Sequence, residues 1–220
     1  MSTPNQINHI AFCTGDMKEQ LQFYTSVIGM KLKALFWMHG VEGAFHAFLE
    51  LNPNCSMSFV YHPSIKEKDV VMGVSHVPNT ISMSPGGTHQ HIAFNMDNEE
   101  DLNAIVARVR SHGYMISDPI DHDICKSVYM LAPENVWIEF TITTRAFDER
   151  DIDKEVVGLC GISEAELARM CEPDLQQVDE ALLTSGDAQT KEMQNRMKEM
   201  IKQMQAQGQK KFDTEYKHEV

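Results

Sequence analysis

Two stretches of the chain carry the same order of apolar and polar positions. Near the start, Asn8-His9-Ile10-Ala11-Phe12 alternates β-branched or aromatic residues with smaller ones and predicts a short strand. An acidic turn follows, then an amphipathic run in which Met17, Leu21, Tyr24 and Ile28 recur at helical spacing up to Gly29. Further on, Gln90-His91-Ile92-Ala93-Phe94 opens the same sequence of events. Its helix carries Leu102, Ile105, Val106 and Val109 and stops at Gly113. A glycine just past each helix suits the left-handed conformation that ends helices. The stretches also finish alike. Strands are predicted at Lys31–Trp37, Ala44–Leu51 and Ser56–Tyr61 in the first, and at Tyr114–Ser117, Ser127–Ala132 and Val136–Thr143 in the second. His9 and His91 stand 82 positions apart; Ser58-Phe59-Val60 and Glu139-Phe140-Thr141 stand 81 apart. This reads as an internal duplication. The expected fold class is α+β, with two βαβββ modules over about residues 5–62 and 88–147.

Outside the repeat the patterns change. Pro63 to Thr88 is broken by Pro63, Pro78, Pro85 and Gly86-Gly87 and predicts a long connection, read either as a lid or as a linker. From about Asp148 strand signals vanish and charged residues and glutamine dominate. A first domain over residues 1–147 and a helical extension over 148–220 are expected. Ser163-Glu164-Ala165-Glu166 has a capping-box pattern, a further helix is predicted from Pro173 to Leu183, and a third from Asp187 to Gln207. The last carries Met193, Met197, Met200 and Met204 as a heptad-like stripe, expected to pack on the main domain or on a second subunit.

Composition narrows the partners. A formal charge of −13 over 220 residues disfavours nucleic acid and anionic membranes. No run is long and apolar enough to span a bilayer, and the polar start does not resemble a secretion signal. Cys13, Cys55, Cys125, Cys160 and Cys171 are odd in number and scattered, which suits free thiols in a reducing cytoplasm.

The repeat also places candidate chemistry. Strand residues alternate faces, so His9 shares a side with Ala11, and His91 with Ala93. Glu139 interrupts the apolar strand Val136-Trp137-Ile138-Glu139-Phe140, where a lone carboxylate is costly unless paired or bound to a cation. Taken singly, a strand histidine is usually structural and a strand glutamate usually faces solvent. Two histidines at equivalent repeat positions plus that glutamate instead point to a two-histidine, one-carboxylate metal site, the set typical of non-haem Fe(II). His122, flanked by Asp121 and Asp123, reads either as a proton-transfer residue or as a solvated turn histidine. Lys126, Phe36, Trp37 and Met38 are candidate pocket residues, and Cys125 reads as incidental.

The run HIAF…FYTSVIGMKL…HIAF…KSVYMLAPENVWIEF resembles the vicinal-oxygen-chelate superfamily of glyoxalases, type I extradiol dioxygenases and fosfomycin and bleomycin resistance proteins, over roughly Asn5 to Phe147. The resemblance implies curved sheets around a metal cleft with ligands His9, His91 and Glu139. Glyoxalases add a ligand where this chain has Ser58, a poor one; Glu50 or His62 is the alternative fourth ligand. The resemblance to extradiol dioxygenases makes Tyr129 a residue that hydrogen-bonds substrate. Those enzymes have a histidine where this chain reads Asn54-Cys55-Ser56, so His46, on the preceding strand, is the expected substitute.

The expected function is therefore a metal-dependent enzyme, foremost an extradiol-type ring-cleaving dioxygenase on a small, aromatic or oxygen-rich, catechol-like substrate. Fe(II) is favoured, with Mn(II), Zn(II) or Ni(II) as alternatives, and dioxygen as cosubstrate. The alternatives are a glyoxalase-like lyase or isomerase using a Lewis-acid metal, and a non-catalytic binding protein. A homodimer is expected, with the cleft either within one chain or shared between two.

Overall fold

The computed structural model describes residues 4–173, 189–199 and 202–203. The described residues divide into two compact units: Pro4–His39 with Gly43–Asp151, and the turn 40–42 with the described residues from Ile152 onward.

The first unit contains both modules. Module 1 runs β1 (His9–Thr14), α1 (Met17–Gln22), a π-helical turn Phe23–Ile28, β2 (Lys31–Trp37), β3 (Phe45–Asn52) and β4 (Cys55–Tyr61), with sheet order β1-β4-β3-β2. Module 2 runs β5 (Ile92–Asn95), α2 (Glu99–Ser111), β6 (Ile120–Asp121), β7 (Cys125–Ala132) and β8 (Val136–Thr143), with order β5-β8-β7-β6. In each, the first strand lies parallel to the last and the remaining pairs are antiparallel. The two sheets are thus the same figure drawn twice.

Each sheet has one face turned to the helices. Ala47, Leu49, Met57 and Phe59 of module 1 and Val128, Met130, Ile138 and Phe140 of module 2 are buried there, in one core with Phe23, Tyr24, Leu102, Ile105, Val106 and Val109 from the helical segments. The α2 residues are those that the helical spacing predicts. In α1 the buried positions are Met17 and Gln20 rather than Met17 and Leu21. Gln20 is drawn inward because its side-chain amide donates to Glu134 at 2.7 Å. The backbone N–H of Gly15 donates to the other Glu134 oxygen at 2.6 Å. Glu134 and Asn135 form the β7–β8 turn with φ of 56° and 61°, a left-handed pair that aims the carboxylate at module 1.

Two expectations are corrected. Tyr114–Ser117 does not form a strand; β6 begins only at Ile120. Ser117 Oγ accepts from the Tyr129 N–H at 2.9 Å, taking the donor that a ladder needs, and Met115 is 90% exposed. The strand expected from Gln90 starts at Ile92, so His91 stands just before it. The connection from Pro63 opens with a 3-10 turn, Pro63–Glu67, and holds an isolated bridge between Met72 and His76.

In the second unit, α3 (Lys154–Leu159) was not expected, whereas α4 (Glu164–Cys171) starts at the Ser163–Glu166 capping box. Residues 189–199 are helical, with Met193 and Met197 exposed. Met200, Met204 and the helix expected from Pro173 to Leu183, beyond Pro173 itself, lie outside the described residues. Among the described residues no helix is long and apolar enough to cross a membrane.

The Glu134 contacts predict a stability effect. Glu134→Ala strands the Gly15 N–H and leaves the buried Gln20 amide only the Pro133 carbonyl at 3.5 Å, and it should cost roughly 1–3 kcal/mol. A urea titration would show this as a lower midpoint at unchanged slope; an unchanged midpoint would mean that the inter-module bonds contribute nothing.

Candidate metal centre

Within module 2, strand register decides which side chains meet. β5 and β8 pair Ala93 with Glu139, and β7 and β8 pair Tyr129 with Glu139. Glu139 therefore sits mid-sheet on the face away from α2, while Ile138 and Phe140 point into the core. His91 Nε2 lies 2.9 Å from Glu139 Oε2, and the carboxylate side chain is only 7% exposed. On its other side, His91 Nδ1 contacts Gln90 Oε1.

This arrangement tests whether a metal fits. An amide oxygen and a carboxylate are both acceptors, and a neutral imidazole carries one N–H. Between His91 Nε2 and Glu139 Oε2, two lone pairs face each other unless a positive charge lies between them, either a second ring proton or a metal ion. An imidazole and a buried carboxylate at that separation are a donor set that a divalent metal suits. His9 would be a third ligand, but the groups it contacts lie in its own module: Asn8 Oδ1 at 2.9 Å from Nδ1, and the Phe48 ring at 5.6 Å. Among the described residues of one chain, no three His, Cys, Asp or Glu side chains come together as a metal cage.

His9 belongs to the equivalent open face of module 1. Register aligns His9 with Ser56 and Glu50, and Ala11 with Ser58 and Phe48. Ser58 thus pairs with Ala11 as Glu139 pairs with Ala93, which makes Ser58 the structural counterpart of Glu139. Glu50 is engaged by Lys33 at 3.5 Å, and His62 caps the 3-10 turn through Ser64. Phe36, His46 and Phe48 form an aromatic cluster on this face, with Phe36 and Phe48 stacked at 12° and the His46 ring centred 4.3 Å from that of Phe36. His46 Nε2 is buried without a hydrogen-bond partner, and Phe36 is 52% exposed.

The other candidates divide. His122 Nε2 lies 3.1 Å from the Tyr129 hydroxyl, and Tyr129 lies across from Glu139, so these three form a line over the open face. Burial, and then the Glu139 carboxylate, hold the Tyr129 hydroxyl above its ordinary pKa. The turn carrying His122 is pinned by Arg145, whose guanidinium donates to Asp123 at 2.6 Å and to Asp151 at 2.8 Å. Lys126 alternates with Tyr129 onto the helix side, where it pairs with Glu99 of α2. Trp37 ends β2 opposite Phe45, on the other face from His46. Neither comes to the face of Glu139. The pattern read from the sequence missed Asn8 and Gln90 as ring partners, although the repeated carboxamide–histidine pair was a visible signal.

Known proteins share this architecture. The model of the Glyoxalase/Bleomycin resistance protein/Dioxygenase superfamily matches residues 6–140. No curated protein matches. Among solved structures, a glyoxylase/bleomycin resistance protein/dioxygenase domain from Frankia sp. EAN1pec is 13% identical, with a TM-score of 0.50, covering 64% of this chain and 99% of that one. FosX from Listeria monocytogenes is a genomically encoded fosfomycin resistance protein, solved as a mutant complexed with Mn(II) and a dihydroxypropylphosphonic acid. It is 14% identical with a TM-score of 0.45, covering 68% of this chain and 100% of that one. TnmS3, an antibiotic binding protein from Streptomyces sp. CB03234, is 14% identical with a TM-score of 0.46, covering 66% and 100%. At 13% identity the Frankia structure speaks for the fold alone. The paired modules, their matched registers and the family match over residues 6–140 together make this chain a member of the Glyoxalase/Bleomycin resistance protein/Dioxygenase superfamily.

Proposed function

We propose that the protein is a metal-dependent enzyme acting on a small, planar, oxygen-rich substrate, at a centre built from His91 and Glu139 of one chain and His9 of the partner subunit. The observation that carries this reading is the His91–Glu139 contact on a strand whose other buried residues are apolar. His9 stands on a separate, open face, and an exposed Phe36 beside it favours covering by a second copy. The described cysteines are all free, which suits a reducing cytoplasm.

A divalent metal bound there would supply Lewis acidity and open positions for two vicinal substrate oxygens, and in the most specific form of the reading, an Fe(II) extradiol-type ring cleavage, for dioxygen as well. Mn(II), Zn(II) and Ni(II) suit the same ligands. The chain's own residues do the rest. The aromatic cluster of Phe36, His46 and Phe48 offers a wall for a planar ring, and the unpartnered His46 Nε2 offers it a hydrogen bond. Tyr129 reaches substrate beside Glu139, and His122 holds or accepts the proton at the Tyr129 hydroxyl. That pair equally supports a second reading, a lyase or isomerase that only moves protons, because His122–Tyr129 needs no oxidant and no histidine stands at Asn54-Cys55-Ser56.

Protein purified without oxygen should hold about one metal per chain as this reading counts it, and Glu139→Ala should lose it. Metal analysis of both decides, and equal metal in the two would sink the assignment. Iron with substrate-dependent oxygen uptake supports ring cleavage, whereas anaerobic turnover supports proton transfer. The shared centre is tested by co-refolding His9→Ala with Glu139→Ala. Mixed dimers rebuild one intact site from the two defective chains, so metal returns. A centre within one chain gives no recovery.

A further inference from the structure

We propose that Asn8 and Gln90 are positioning residues that hold the two candidate histidine ligands in the tautomer and orientation a metal requires. The inference rests on the metal reading above. The same local arrangement occurs twice, at equivalent points of the repeat. Asn8 Oδ1 faces His9 Nδ1 at 2.9 Å, and Gln90 Oε1 faces His91 Nδ1. An amide oxygen only accepts, so each Nδ1 donates the ring proton; His9 Nε2 then presents its lone pair, and His91 Nε2 does so when the charge facing Glu139 is a metal rather than a second ring proton. Nε2 of His91 is the atom that faces Glu139.

For Gln90 the assignment of oxygen and nitrogen is itself constrained. Its side-chain nitrogen donates to the Thr80 carbonyl, which turns Oε1 toward His91. The connection between the modules thereby reaches the metal centre: Thr80 holds Gln90, and Gln90 holds His91. Two residues before His91, the His89 ring packs edge-on to Phe12 of β1 at 4.9 Å and keeps this end of the connection against module 1. His9 opens β1 and His91 stands just before β5. In each case the ring partner is the preceding residue. Metal-bound histidines generally donate their second N–H to such an outer partner, and loss of that partner weakens metal binding by about 10- to 100-fold.

The experiment has two readouts on the full chain. Long-range 1H–15N correlation spectra of the metal-free protein, above the titration range of histidine, report which nitrogen of His9 bears the proton. The expected result is Nδ1–H in the wild type and in Asn8→Asp, changing to Nε2–H, the form that free neutral imidazole favours, in Asn8→Leu. Zn(II) competition titrations should show Asn8→Leu and Gln90→Met binding about 10- to 100-fold more weakly. Asn8→Asp and Gln90→Glu, which keep an acceptor, should bind at least as tightly as the wild type. Unchanged unfolding midpoints of the metal-free variants would separate this from lost folding. Nε2–H in the wild type, or apolar variants that bind Zn(II) like the wild type, would overturn the inference. If His91→Ala also binds Zn(II) like the wild type, the metal reading is what has failed, and the His9 tautomer still decides whether the carboxamide orients the ring.

Discussion

The parallel pairing of first strand with last strand in each module is the constraint on which the other features depend. It sets Ala11 beside Ser58 and Ala93 beside Glu139. Strand side chains alternate, so a slip of β8 by one residue would turn Glu139 into the core and Ile138 or Phe140 out of it. The core forbids that slip. Ile138 and Phe140 are buried against α2 and its neighbours, and their apolar burial contributes about 1.5–3 kcal/mol each. Packing on one face therefore holds the chemistry on the other.

Glu139 shows what that placement costs. A buried carboxylate without a partner is destabilising by several kcal/mol, yet β8 keeps one at its centre. Its surroundings answer the charge: His91 Nε2 at 2.9 Å, and the Tyr129 hydroxyl across the strand pair. His91 is itself enclosed by acceptors on both ring nitrogens. A positive charge between His91 and Glu139, whether a second ring proton or a metal ion, relieves both residues together.

The supports of this centre come from remote parts of the chain. Arg145, just past β8, grips Asp123 and Asp151 and thereby fixes the turn that brings His122 to Tyr129. Its hydrogen bonds to Asp151 keep that carboxyl well below the ordinary range, so acid must go well past the usual carboxylate pKa to release the grip. The β7–β8 turn reaches back through Glu134 to Gly15 and Gln20 and ties the modules together. The Glu134 bonds and the Arg145–Asp123 bond join residues distant in sequence, and each starts from a local left-handed backbone, at Glu134 or Asp123.

Much of this was legible in the residues themselves. The duplication, the α2 stripe, and the faces carrying His9, His91 and Glu139 follow from period and spacing, because alternation within a strand and recurrence along a helix are local properties. Ser58 as the counterpart of Glu139 followed from the repeat offset, and the register agrees. The non-local relations came only with the tertiary structure. It set Gln20 rather than Leu21 in the core, because a distant carboxylate binds its amide. It replaced the strand at Tyr114–Ser117, because the Ser117 hydroxyl occupies a ladder donor. It brought His91 to Glu139, turned Lys126 and Trp37 to the other faces of their sheets, and left His9 on the opposite module. Alternation orders residues within a strand, whereas the meeting of two strands, or of two modules, is decided by packing that no local pattern encodes.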